Sequence, residues 1–63
     1  MDYTFYIHDE RYSVPTLLVV AADTDKGAKA LARLRLKQSP RHKQVEIWRE
    51  DVRIGLLSQT KGR

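Results

Sequence analysis

His8-Asp9-Glu10 sets an imidazole beside two carboxylates, the raw material of an acid–base pair or a metal ligand set. Spacing argues against both. Neighbouring residues of a strand point to opposite faces, so these three converge only if a turn gathers them. A metal centre needs three or four ligands. The chain has no cysteine, and its other histidine, His42, sits between Arg41 and Lys43, which repel a cation. No serine, histidine and acid combine into a sheltered nucleophile and base. Gly27, Gly55 and Gly62 stand apart and make no phosphate loop. Ser39-Pro40-Arg41 has the form of a phosphorylation site but reads first as a helix stop. The expectation is a chain without catalytic residue, cofactor or metal, and so not an enzyme.

Charge points to a different chemistry. Residues 1–25 hold five acids and one base, whereas residues 26–43 hold seven bases and no acid. At about 100° per residue, Lys26, Lys29, Arg33 and Lys37 fall on one stripe of a helix. With Arg41 they supply enough cations for salt-sensitive, non-specific binding to nucleic acid. The stripe lacks the Asn, Gln and Arg mixture that reads base edges. The aromatic residues Tyr3, Phe5, Tyr6 and Trp48 lack the spacing of sheet-based RNA readers. A basic exposed helix also serves simply to keep a small protein in solution. Nucleic acid is therefore the alternative partner and not the first.

The elements that must position these residues follow from periodicity. Tyr3, Phe5 and Ile7 alternate with polar neighbours as in a half-buried strand. Ser13 to Ala22 is rich in β-branched residues, with Pro15 near its start, where a missing N–H is tolerated. Asp23 or Thr24 caps a helix over about 24–38, in a segment of Ala, Leu, Lys and Arg, and Ser39-Pro40 ends it. Val45 to Trp48 and Val52 to Leu56 are two further strands joined by Arg49-Glu50-Asp51. The fold class is α+β: a single ββαββ domain over 1–58, with a four-stranded, mainly antiparallel sheet and one helix on one face. Residues 59–63 read as a polar, fraying tail. A right-handed crossover places the strands in the order 2-1-3-4. The expected core is Phe5, Ile7, Val19, Leu31, Leu34, Val45, Ile47 and Ile54. Arg35 falls within the helix's apolar sector and snorkels its head to water.

Strand two carries the anomaly. Leu17, Val19 and Ala21 share one face, Leu18, Val20 and Ala22 the other, and both faces are apolar. One helix covers one face of a sheet, so a strand in this setting should alternate. A second copy is the simplest cover for the other face, and it would also protect an unpaired edge. The residues expected to carry self-association are Leu18 and Val20 as the outward pair, with Tyr6 and Trp48. Trp48 suits an interface anchor whose indole N–H finds a partner.

The opening Tyr3-x-Phe5, the loop Asp9-Glu10, the Ala-rich helix after Asp23, and Val45-Glu46-Ile47-Trp48 with Asp51 and Ile54-Gly55-Leu56 carry a resemblance. Over residues 3–57 the chain resembles a family of short bacterial proteins of unknown function, frequent in alphaproteobacteria. Glu50 stands where that pattern places a turn glycine. The resemblance implies a compact ββαββ fold and no activity.

Size bounds the rest. A chain of 63 residues buries only about 60% of its unfolded surface, too little for a deep cleft beside a full core. Its longest apolar run, Leu17 to Ala22, is far short of the roughly 20 residues of a membrane span. The N-terminus has no basic start before an apolar stretch, so the expected setting is the cytoplasm. The expected partner is a second copy, as a homodimer, with no membrane.

Overall fold

The computed structural model of the chain describes residues 1–59. Strands β1 (Asp2–Asp9) and β2 (Thr16–Ala21) precede helix α1 (Asp25–Lys37), and β3 (His42–Arg49) and β4 (Val52–Ser58) follow it. The sheet order is β2-β1-β3-β4 with every neighbouring pair antiparallel, the expected α+β architecture. β2 begins at Thr16, three residues later than the composition of the segment suggests, because Pro15 cannot donate to a ladder. From residue 60 the expected tail lies outside the described residues. Gln59, its first member, is held in place. Its backbone N–H donates to the Lys43 carbonyl at 2.8 Å, and its side-chain amide donates to the carbonyls of Leu36 and Ser39.

The helix starts where Thr24 turns from extended backbone into α1 and its hydroxyl accepts the Gly27 N–H at 3.0 Å. Asp25, in the first turn, then fixes how the helix is rotated. Its carboxylate accepts the Tyr3 hydroxyl from β1 at 2.7 Å and the Arg49 guanidinium from β3 at 2.6 Å. These two tethers turn the face containing Asp25, Ala28, Ala32 and Leu36 onto the sheet. At the far end, His42 Nδ1 donates to the Arg35 carbonyl at 2.8 Å and closes the last turn.

The core lies between helix and sheet and consists of Tyr3, Phe5, Ile7, Val45 and Ile47 against Ala28, Ala32 and Leu36. Bulky strand residues fill the interlayer, so small helix residues allow close approach. Four expected core positions, Phe5, Ile7, Val45 and Ile47, are buried, and Ile54 packs against them half-buried. Leu31, Leu34 and Val19 are corrected: all three are exposed, Leu34 at 61% and Val19 at 67%. The helix rotation imposed by Asp25 displaces the two leucines, and the pairing of β2 with β1 displaces Val19. Arg35 is half-buried with its guanidinium near the Gln38 side chain, as a snorkelling residue should be.

Candidate interaction surface

Which way each β2 residue faces follows from its partners on β1. Tyr3 pairs with Val20 and Phe5 with Leu18, so Leu18 and Val20 share the helix side with the buried aromatics. Leu18 and Val20 are accordingly half-buried against the core, and the expectation that they form the outward pair is corrected. The outward pair is Leu17, 59% exposed, and Val19. Both faces of β2 are apolar, so alternation within the strand could not distinguish them. Only the register Ile7 with Thr16, across a connection too long to be a tight turn, decides it.

The same pairing shows where the strand's backbone points. Ala22 donates its N–H to the Met1 carbonyl at 3.0 Å. Both backbone polar groups of one strand residue point to the same side, and successive residues alternate. Thr16, Leu18 and Val20 therefore bond inward to β1, whereas Leu17, Val19 and Ala21 direct their N–H and C=O groups away from the sheet. β2 is an edge strand with no charged side chain from Thr16 to Ala21. The other edge, β4, is blunted. A register shift opposite Ile47 and Trp48 leaves Ile54 as an extra residue, and Arg53 adds charge. Bulges and charges are the usual protection of an edge, and β2 has neither.

On the uncovered face, Tyr6 and Trp48 come together, with ring centroids 5.8 Å apart and planes tilted by 55°. They adjoin a polar centre. Glu46 accepts the Trp48 indole N–H at 3.0 Å and contacts His8 Nε2 at 2.6 Å, with Arg53 at 3.8 Å. The Trp48 hydrogen bond, then that of His8, lowers the Glu46 carboxyl below its usual range. Leu17 lies opposite Tyr6, and Val19 opposite Thr4, at the β2 end of this face. Full burial of the face would desolvate the Glu46 cluster, whereas its β2 margin has no such cost.

The basic stripe lies elsewhere. The methylene next to the Lys29 ammonium sits over Gly55 of β4, where an added Cβ would come within 3.2 Å of it. Arg33 and Lys37 line a shallow groove with Leu57, Ser58 and Gln59. Lys26, Arg33, Lys37 and Arg41 are exposed and Lys29 is half-buried. None of the five forms an ion pair among the described residues. By helical phase, Leu31 occupies the opposite flank of α1, above the trough that leads to β2.

The acid–base candidates separate as the strand period requires. His8 lies on the uncovered face, Asp9 is buried on the helix side, and Glu10 is exposed. The Arg11 side chain, donating at 2.9 and 2.7 Å, holds the Asp9 carboxyl far below the ordinary carboxylate range. The Arg11 backbone N–H and nearby His42 act in the same direction. This is a clamp on the chain leaving β1. Among the described residues no three His, Asp or Glu gather into a metal-binding group, and no helix is long and apolar enough to cross a membrane. No protein-family model, curated protein or solved structure matches the chain.

Proposed function

We propose that this chain is a non-catalytic binding or adaptor domain that works by self-association, with β2 as the docking element. The observation that supports this reading is the combination found on that one strand. It offers outward N–H and C=O groups, exposed Leu17 and Val19, and, among the described residues, neither a charge nor a bulge. Fully burying an aliphatic side chain contributes about 1.5–3 kcal/mol, so two such residues per copy are a substantial gain for a small domain. Tyr6 and Trp48 flank this surface and remain the anchors available to a further ligand.

Sedimentation equilibrium at tens of micromolar is the direct test. A dimer mass is expected for the native chain, and a monomer mass for Val19→Lys with an unchanged circular dichroism spectrum. A native monomer at that concentration refutes self-association.

A second reading, non-specific nucleic-acid binding, is favoured by the five cations Lys26, Lys29, Arg33, Lys37 and Arg41. They are free of ion pairs among the described residues. Titration with duplex DNA and single-stranded RNA at low and high salt separates it from the first. Affinity that falls steeply with salt supports the basic flank. No binding at low salt removes it.

A further inference from the structure

We infer that β2 pairs antiparallel with β2 of a second copy in a single register, with Val19 on the two-fold axis, so that two sheets fuse into one of eight strands. This rests on the self-association proposed above and adds its geometry.

A two-fold axis that joins two edges antiparallel stands normal to the sheet and leaves both helices on one side. The residues whose backbone groups point outward, Leu17, Val19 and Ala21, must then meet one another. With Val19 opposite Val19, Leu17 of each copy lies opposite Ala21 of the other. Each of these pairings exchanges two backbone hydrogen bonds. On the helix side Leu18 lies opposite Val20. From Leu17 to Ala21 every facing pair is aliphatic, and a larger side chain meets a smaller one wherever the residues differ.

The neighbouring registers are worse for identifiable reasons. Centring the axis on Leu18 sets Pro15 opposite Ala21, where its missing N–H breaks a ladder bond. Centring it on Val20 sets the charged Asp23 opposite Leu17. The Val19 register alone keeps Pro15 and Asp23 at the ends of the seam. Electrostatics agree with this choice, because the flank with Lys29, Arg33 and Lys37 faces β4, away from the seam. With strands about 4.8 Å apart, helices lying mainly over β3 stand on the order of 24 Å from each other and do not collide.

The absence of native cysteine makes thiol cross-linking a clean test. A directly opposed hydrogen-bonded pair has Cα atoms about 5.5 Å apart, within disulfide range. Val19→Cys should therefore form a covalent dimer under mild oxidation. Leu17→Cys, about as exposed, should not, since its own counterpart lies about 14 Å away along the seam. Joining Leu17→Cys with Ala21→Cys should restore cross-linking. The Val19→Cys dimer should form at least roughly tenfold faster than the Leu17→Cys dimer, as expected of thiols that start within bonding reach. A native dimer in which Leu17→Cys cross-links and Val19→Cys does not overturns the register and leaves self-association standing. A native monomer that shows equal, slow cross-linking of both variants overturns both.

Discussion

Asp9 ends β1 with its side chain only 4% exposed, and it keeps its charge because Arg11 grips both carboxylate oxygens. Asp25 is shifted in the same direction by the Tyr3 hydroxyl and then by Arg49, and Glu46 by Trp48 and then by His8. All three carboxyls titrate lower in the folded chain than in the unfolded one. Their contribution is thus complete above about pH 4, the ordinary carboxylate range, and is lost as pH falls through the lower folded values. Acid should unfold the domain progressively below that pH. Asp9→Asn should be less stable than the native chain at pH 7, with the difference shrinking towards pH 2. Urea denaturation at the two pH values measures it, and an equal difference at both would show that the Asp9 charge contributes nothing.

At the scale of elements, the β3–β4 hairpin and the rotation of α1 each make a prediction. Glu50 has φ 55, a left-handed conformation that costs an ordinary residue about 1–2 kcal/mol. A glycine at that position would remove that cost. Glu50→Gly should stabilise the domain by about 1 kcal/mol, less some loss to unfolded-chain entropy. For a domain of this size, that gain raises the melting temperature by roughly 4–8 °C. No rise in a thermal scan would mean that the turn relaxes at no cost. For α1, the substitutions to compare are Ala32→Leu and Leu34→Lys. Ala32 is fully buried against the sheet, so enlarging it should destabilise by about 1–3 kcal/mol. Leu34 faces solvent, so lysine there should change stability by no more than about 0.5 kcal/mol. Denaturant midpoints in the reverse order would place the helix about half a turn away from the position described.

For the whole molecule, stability and association are one quantity. A domain this small has little stability to spare, and a partner that binds only the folded chain raises it by mass action. The melting temperature of the native chain should therefore rise with protein concentration over the micromolar range. Val19→Lys should lose that dependence, and at high concentration it should melt below the native chain. Scanning calorimetry at several concentrations reads both. A concentration-independent native transition would contradict the dimer.

Element order, sheet topology and the helix cap were legible in the sequence because each rests on local signals. These are the alternation of Tyr3, Phe5 and Ile7, a capping side chain at Asp23 or Thr24 (the structure uses Thr24) before a helix-forming run, and Pro40 after it. Strand parity also put Tyr6 and Trp48 on the same uncovered side, whereas their contact comes from the pairing of β1 with β3. Parity did not suffice for β2, where both faces are equally apolar. Its orientation is set by pairing with β1 across residues 10–15, and a connection of that length carries no register signal. The helix face was ambiguous for a related reason. Ala28, Leu31, Ala32, Leu34 and Leu36 spread over too wide a sector to choose a side. The tethers from Asp25 to Tyr3 and Arg49, residues more than twenty positions away in the chain, rotate Leu31 and Leu34 out. Local periodicity determined what the elements are; contacts distant in sequence decided which of their residues face out and so are free to bind.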